Sequence, residues 1–187
     1  MMTWLNEPAE WAGDAGDLTF ITEKGSDFWR KTFYGFTRDN GHGLLSPVSG
    51  DFSASLTVTA DYSALYDQAG MMLRIDENYW VKAGIEYTDG LMHFSTVVTN
   101  GVSDWSIIPL PRATPETPVS IRITRHDDAV RIQFHLGDGH WQMARLSPFP
   151  ATAAAIGPTA CTPERAGLKV HVRDFVIGPP ISRALHD

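Results

Sequence analysis

The sequence predicts an all-β fold, an antiparallel two-sheet β-sandwich that forms one domain over residues 1–187, with its core in about residues 4–178. Stretches in which apolar and polar residues alternate recur at intervals of about 8–12 residues, which predicts about nine or ten strands. The 16 glycines and 12 prolines are spread along the chain as turn residues. Neither an amphipathic helix of ordinary length nor an internal repeat is visible, and 43% hydrophobic residues suffice for a sizeable core.

The first third of the chain contains two clear strand patterns on either side of an aromatic-rich segment. Residues 17–22 and residues 51–62 alternate with the period of half-buried strands. In the second of these the predicted core side chains are Phe52, Ala54, Leu56, Val58 and Ala60. Residues 25–50 hold aromatic side chains interrupted by glycines, which favours a long ordered loop lying against the domain. This loop either contributes to function or closes one end of the core.

The rest of the chain follows the same pattern. Residues 63–70 predict a connection with one helical turn, and residues 70–106 predict three consecutive strands joined by two tight turns. A proline-rich connection leads to a hairpin over residues 119–136, and a short strand follows it. Residues 151–167 are rich in small residues and predict a loop, and residues 168–177 predict the last strand.

Asp89 and Gly90, between two apolar alternations, are the strongest hairpin signal in the chain. A two-residue loop there pairs Glu86 with His93 and Lys82 with Val97. One face of the hairpin then carries Trp80, Lys82, Gly84, Glu86, His93, Ser95, Val97 and Thr99. The other face, which we expect to meet the core, carries Val81, Ala83, Ile85, Tyr87, Met92, Phe94, Thr96 and Val98.

The turn before this hairpin decides which way Arg74 points. A three-residue loop at residues 76–78 places Arg74 opposite Trp80 on the polar face, whereas a two-residue loop directs it toward the core. Burying an arginine without a partner is costly, so the three-residue loop is favoured.

The polar face and the aromatic-rich segment together predict a ligand-binding surface. Flat aromatic rings beside hydrogen-bonding groups suit a sugar ring, whose C–H groups stack while its hydroxyls are paired. The candidate residues are Trp29, Tyr34, Asp39, His42, Arg74, Trp80, Lys82, Glu86, His93, Ser95, Asp104 and Trp105, with Ser103 beside them. The alternative is that the charges form ordinary surface ion pairs, worth under ~1 kcal/mol, and that the tryptophans pack a sheet edge.

Charge and hydropathy narrow the classes of partner. A net charge of −7 argues against nucleic acid, which needs a basic patch. No apolar stretch approaches the ~20 residues that cross a bilayer, and residues 1–11 lack the features of a signal peptide. We therefore expect a cytoplasmic protein without a membrane partner, which binds a carbohydrate or small polar metabolite, another protein, or a second copy of itself.

The cysteine and histidine content argues against a metal or other cofactor. Cys161 is the single cysteine, which excludes an intramolecular disulfide and a cysteine-based zinc cluster, and a packed thiol in a loop is expected. The histidines show no metal-ligand spacing; they are His42, His93, His126, His135, His140, His171 and His186.

Three segments carry a family resemblance: SDFWRKTFYGFTRDNGH, RIDENYWVKAGIEYTDG and STVVTNGVSDWS. They resemble the DUF1349 family, which includes fungal regulator-of-enolase proteins, and the likeness runs from about Trp4 to Ile177. The resemblance implies a concanavalin A-like lectin/glucanase fold, a jelly-roll pair of sheets with one concave face. It implies no established enzymatic activity, and the wider superfamily contains hydrolases, lyases and sugar-binding modules.

Glu86 is the candidate acid/base if the protein is an enzyme, with His93 or His42 assisting. The glucanase signature of carboxylates spaced two apart is missing, because Asp89 lies in the turn three residues after Glu86. Asp39 or Asp104 could supply a second carboxyl only if a loop brought it near. Three functions therefore stay open: a carbohydrate-binding module, a glycosidase- or lyase-like enzyme, and a regulatory protein–protein interaction module.

Overall fold

The computed structural model describes residues 1–137 and 139–185, and His186 lies outside them. The first eight strands are β1 (Thr3–Leu5), β2 (Trp11–Asp14), β3 (Asp17–Ile21), β4 (Phe28–Arg30), β5 (Thr37–Asp39), β6 (His42–Val48), β7 (Phe52–Ala60) and β8 (Asp67–Arg74). The other eight are β9 (Tyr79–Thr88), β10 (Leu91–Asn100), β11 (Val102–Pro109), β12 (Val119–His126), β13 (Ala129–Leu136), β14 (Gln142–Pro148), β15 (Ala154–Cys161) and β16 (Lys169–Gly178). The described residues contain no helix, and so none that could span a membrane.

Two seven-stranded antiparallel sheets form the sandwich. Sheet A has the order β1-β6-β15-β8-β9-β10-β11, and sheet B has the order β14-β13-β12-β7-β16-β3-β2. β4 and β5 pair only with each other, as a separate hairpin. The predicted β-sandwich is therefore confirmed.

The hydrophobic core lies between the sheets because the strands alternate as the sequence predicted. In β7 every second side chain, from Phe52 to Ala60, is buried. Phe94 of β10 stacks on Phe134 of β13 with 4.2 Å between the ring centroids, which joins sheet A to sheet B. An offset-stacked pair of this kind stabilises the sandwich beyond the area it buries.

The predicted register of the β9–β10 hairpin is confirmed. Glu86 pairs with His93, and Lys82 pairs with Val97, around the two-residue turn at Asp89 and Gly90. Asp89 has φ = 55° and Gly90 has φ = 70°, as a type I′ turn requires. Arg74 pairs with Trp80, so the three-residue turn is also confirmed.

The loop predicted over residues 151–167 is wrong, because β15 is an inner strand of sheet A. Its small residues permit a close approach to β6: a Cβ on Gly157 would lie 1.9 Å from the carbonyl oxygen of Leu44. The pairing with β6 covers residues 154–156 and resumes at Thr159, so Pro158 is not required to donate a hydrogen bond there.

The long loop predicted over residues 25–50 is also wrong in part, because the segment forms β4, β5 and β6. Strands of three residues, such as β4 and β5, are too short for alternation to reveal them. The prediction that the segment lies against the domain is correct. Phe28 of β4 is fully buried and packs against Trp80 of β9, with 6.0 Å between the ring centroids.

The β4–β5 hairpin is fixed to sheet A at both ends. The guanidinium of Arg74 donates two hydrogen bonds of 2.8 Å to the carboxylate of Asp39 in β5. The amide of Arg30 in β4 donates to Oγ of Ser103, over 2.9 Å. These contacts hold the hairpin over the face of sheet A that points away from the core.

Candidate functional site

The outer face of sheet A carries polar side chains that solvent barely reaches. Lys82 and Glu86 of β9 are 7% and 2% exposed, and Ser95 of β10 is 5% exposed. The sequence predicted the face that carries these side chains but not their burial. The β4–β5 hairpin and the residues after β15 enclose this face.

A cavity of about 200 Å³ lies between these polar side chains and the hairpin. Its aromatic lining residues are Phe28, Trp29, Tyr34, Phe36, Tyr66 and Trp105. Its polar and charged lining residues are Asp27, Arg38, Gln68, Lys82, Glu86 and Glu164. Val97 and Pro163 complete the lining.

Glu86 is the buried carboxylate of this cavity. Ser95 donates a hydrogen bond of 2.8 Å to its Oε2, and Nε1 of Trp105 donates to Oγ of Ser95 over 3.2 Å. Burial raises the pKa of Glu86 above its ordinary value, although the Lys82 ammonium and the hydrogen bond from Ser95 oppose this. The cavity thus contains a carboxyl that is protonated more readily than one in water.

Lys82 is a buried ammonium surrounded by its own partners. Its Nζ donates to Oε1 of Gln68 over 2.6 Å and to Sγ of Cys161 over 3.5 Å, and it lies 3.9 Å from Oδ1 of Asp27. Burial opposes the charge, but the carboxylates of Asp27 and Glu86, together with the Cys161 sulfur as a hydrogen-bond acceptor, outweigh burial and raise the pKa of Lys82 above its ordinary value. Lys82 is therefore charged at neutral pH.

Cys161 lies beneath the cavity, fully buried at the end of β15. Its thiol donates to Oδ1 of Asp27 over 3.7 Å. Burial raises the pKa of Cys161 to about 12, so near pH 7 the thiol is neutral and the negative charges that face Lys82 are Asp27 and Glu86. The packed thiol expected from the sequence is thus what the structure contains, although in a strand.

The hairpin supplies one aromatic wall of the cavity. The ring of Tyr34 stacks on Phe36 with 5.3 Å between centroids, and it meets Trp29 edge-on at 5.7 Å. Its hydroxyl lies 3.5 Å from the hydroxyl of Tyr66, which precedes β8. That contact, together with burial, raises the pKa of Tyr66 to about 12. Trp105, on β11, also lines the cavity.

Of the residues predicted from the sequence, the structure brings five to the cavity. They are Trp29, Tyr34, Lys82, Glu86 and Trp105, and Ser95 supports Glu86 from behind. Trp80 is on the predicted face but is buried under Phe28.

Four other predicted residues lie elsewhere or have structural partners. Arg74 and Asp39 bind each other, and Ser103 receives the amide of Arg30. Asp104 points to the core side and pairs with Arg145 of β14 over 2.8 Å.

The two histidines predicted to assist Glu86 do not line the cavity. Nδ1 of His42 lies 2.7 Å from the carbonyl oxygen of Asn6, and its Nε2 accepts the amide of Glu23. His93 pairs with Glu86 across the hairpin, and its Nδ1 lies 3.1 Å from the carbonyl oxygen of Leu91.

Sequence reasoning missed the residues that other segments bring to the cavity. Asp27 and Arg38 flank the aromatic run of the hairpin, Tyr66 and Gln68 lie at the start of β8, and Glu164 follows β15. The aromatic run itself was the available signal for Asp27 and Arg38. For Glu164 the sequence offers no signal, because it lies in a stretch of small residues and prolines with no strand alternation.

No metal centre emerges from residues 1–137 and 139–185, in which no three histidine, cysteine, aspartate or glutamate side chains group as metal ligands. The Lys82 ammonium is near both acidic side chains: it lies 3.9 Å from Oδ1 of Asp27, and its charge opposes the rise in the pKa of Glu86. What the arrangement can do is accept and donate hydrogen bonds within an aromatic enclosure.

The fold and cavity define a jelly-roll β-sandwich of the concanavalin A-like class. The chain belongs to the family described as "Protein of unknown function (DUF1349)", whose model matches residues 4–180. It is 45% identical over 186 residues to the Saccharomyces cerevisiae protein named "Regulation of enolase protein 1", covering 99% of this chain and 93% of that one.

Two solved structures place the fold among known proteins. A functionally unknown protein from Saccharomyces cerevisiae superposes with a TM-score of 0.91 at 43% identity, covering 97% of each chain. GH43B of a Bacteroides ovatus xyloglucan PUL superposes with a TM-score of 0.73 at 17% identity, covering 95% of this chain and 36% of that one. The second similarity concerns the fold alone, over about a third of the larger protein.

Proposed function

We propose that this protein binds a carbohydrate or a related small polar ligand in the cavity on the outer face of sheet A. The observation that supports this most directly is the combination of aromatic walls, above all Trp29, Tyr34 and Trp105, with a hydrogen-bonding floor around Glu86. An apolar ring face can stack on the walls while hydroxyl groups pair with the floor.

The size of the cavity favours a single sugar ring. At about 200 Å³ it is smaller than the roughly 300–1,000 Å³ of sites for drug-sized ligands. A monosaccharide or a molecule of similar size fits this volume better than a polysaccharide chain does. The cytoplasmic location expected from the sequence agrees with such a ligand.

A glycan array and isothermal titration calorimetry with monosaccharides test the proposal. We expect binding by the wild type and at least tenfold weaker binding by Trp105→Ala, since a lost stacking surface costs about 1.4 kcal/mol. The matched control is Trp11→Ala, because Trp11 is 44% exposed on β2 and is not part of the cavity. Equal binding by both variants, or no sugar binding by the wild type, would count against the proposal.

Acid/base catalysis by Glu86 is the second candidate function. It is favoured by two further carboxyls, Asp27 and Glu164, which line the same cavity, and by the raised pKa of Glu86. Protonated Glu86 would donate its proton to the leaving oxygen of a glycoside while a second carboxyl activates water. Release of phenol from a panel of aryl glycosides, lost in Glu86→Gln, is the result expected of an enzyme. Binding of these aryl glycosides without release of phenol would exclude acid/base catalysis for that panel.

A regulatory protein interaction is the remaining alternative. The name of the Saccharomyces cerevisiae relative points in this direction. On this chain the observation that favours it is Phe33, which is 94% exposed at the tip of the β4–β5 hairpin. Loss of a captured partner in Phe33→Ser, with sugar binding unchanged, would support this function.

A further inference from the structure

The polar atoms of the cavity divide into those already paired and those left for a ligand. The Lys82 ammonium donates hydrogen bonds to Gln68 and Cys161, over 2.6 and 3.5 Å, and forms an ion pair with Asp27 at 3.9 Å. Two of its three donors are thus bonded within the protein, and its charge faces the carboxylate of Asp27.

Glu86, in contrast, keeps an acceptor for a ligand. Its Oε2 receives the hydroxyl of Ser95, and within the described residues its Oε1 receives no hydrogen bond. The side chain is nonetheless buried, at 2% exposure. Oε1 is not a fully buried atom; it is open to the cavity, where a ligand can donate a hydrogen bond to it in place of solvent.

The charges of the cavity are also more acidic than basic. Three acidic side chains, Asp27, Glu86 and Glu164, line the cavity against two basic ones, Lys82 and Arg38. The guanidinium of Arg38 lies 5.0 Å from the centre of the Phe36 ring, and its Nη1 donates to the carbonyl oxygen of Gly25 over 3.4 Å. Arg38 is thus held at the rim by the hairpin.

The walls favour positive charge as well. Trp29, Tyr34 and Trp105 line the space next to Glu86 with aromatic rings. The faces of such rings attract cations, most strongly when the cation is removed from water. Aromatic rings around a carboxylate therefore suit an ammonium group better than an anionic or a neutral one.

We propose that the cavity selects small ligands that carry an ammonium group, of the amino-sugar class, and that Glu86 is the counter-charge for this group. This inference rests on the proposed sugar-binding function and specifies the ligand. An acidic sugar would instead place its charge beside Glu86 and Glu164, where like charges repel. A neutral sugar would gain the stacking but no ion pair.

The test is calorimetric titration of the wild type with D-glucosamine, D-glucose and D-gluconate, at a pH where the amine of glucosamine is protonated. Choline is included as a cation that is not a sugar. We expect glucosamine to bind at least tenfold more tightly than glucose, and gluconate to bind more weakly than glucose. In Glu86→Gln, which retains an acceptor for Ser95, the preference for glucosamine over glucose should fall to within about threefold.

A second variant keeps the test decisive if Glu86→Gln does not fold. Glu164 is exposed, so Glu164→Gln will fold, and we expect it to reduce the preference for glucosamine by a smaller factor. The control is Glu77→Gln, which removes the same charge in the β8–β9 turn, at a residue that is exposed and does not line the cavity. It should keep the full preference.

The outcomes separate the two proposals. Equal affinity for glucosamine and glucose, tighter binding of gluconate, or an unchanged preference in both Glu86→Gln and Glu164→Gln would overturn the ammonium inference and leave sugar binding in place. Binding of choline, dependent on Glu86, with no binding of any sugar would overturn the sugar proposal and retain ammonium recognition. No binding of any of the four compounds would overturn both.

Discussion

Arg74 and Asp39 form a two-pronged ion pair, with both contacts 2.8 Å long, that joins the end of β8 to the β4–β5 hairpin. Their side chains are 11% and 32% exposed, so the pair is shielded on one side only. Paired N–H donors of this kind fix direction as well as distance. Because β5 follows the residues that form the aromatic wall of the cavity, the ion pair positions that wall over Glu86.

Asp39→Asn should destabilise the protein and weaken ligand binding together. The substitution leaves the mostly buried Arg74 guanidinium without its counter-charge, at a cost of about 1–3 kcal/mol. Chemical denaturation measures the loss of stability, and calorimetric titration with the sugar that the wild type binds measures the loss of affinity. Asp104→Asn is the control, since its ion pair with Arg145 is 67% exposed on the aspartate side and should contribute under ~1 kcal/mol. Similar losses for both variants would show that the Arg74–Asp39 pair has no special role.

Gly84 permits the close approach of β8 and β9 beneath the cavity. It pairs with Gly70, and a Cβ on Gly84 would lie 2.3 Å from the carbonyl oxygen of Ala69. We expect Gly84→Ala to cost about 1–3 kcal/mol, because the strands must separate between Lys82 and Glu86. Gly178→Ala is the control, as a Cβ there meets no atom within 4 Å. The free energies of unfolding of the two variants, measured by urea denaturation, should differ by that amount. Equal stabilities would contradict the steric argument.

The sequence was sufficient for the β-sandwich and for one hairpin in full detail. The alternation of β7 follows from burial of a single face, and the turn at Asp89 and Gly90 sets the register of β9 against β10. Register and face are local properties, because shifting a strand by one residue would expose its apolar side chains. That is why Lys82, Glu86 and Ser95 could be placed on one face in advance.

What covers that face could not be predicted in the same way. Glu164 and Tyr66 reach the cavity from segments separated from Glu86 in sequence, and no local pattern relates them. The alternation of β9 gives the side of the sheet but not its solvent exposure, so it does not predict that Lys82 is only 7% exposed. Short strands such as β4 reveal their position only through packing, here of Phe28 on Trp80.

Cys161 should be protected from thiol reagents in the folded protein. Its thiol is fully buried, and its pKa of about 12 leaves very little thiolate at pH 8. Compared with an exposed cysteine, whose pKa is about 8.5, the reaction should be at least about 10³-fold slower. The measurement is the rate of colour release from an aromatic disulfide reagent, with the protein in guanidinium chloride as the control. Rapid reaction under native conditions would show that β15 opens readily.

Glu86 should make stability fall as the pH rises above the ordinary pKa of glutamate. Burial raises its pKa in the folded state, so between about 4.5 and the raised value the folded protein holds the proton more tightly than the unfolded chain does. Glu86 therefore stabilises the fold below pH ~4.5, and this stabilisation is lost as the pH rises through the raised pKa, with a slope of at most about 1.4 kcal/mol per pH unit. Lys82, whose pKa is raised, stays charged throughout this range. The free energy of unfolding of the wild type minus that of Glu86→Gln, from urea denaturation at a series of pH values, should thus decrease with pH and then level off.

The control is Glu77→Gln, for which the same difference in unfolding free energy should not decrease with pH. A constant difference for Glu86→Gln would mean that burial does not raise the pKa of Glu86.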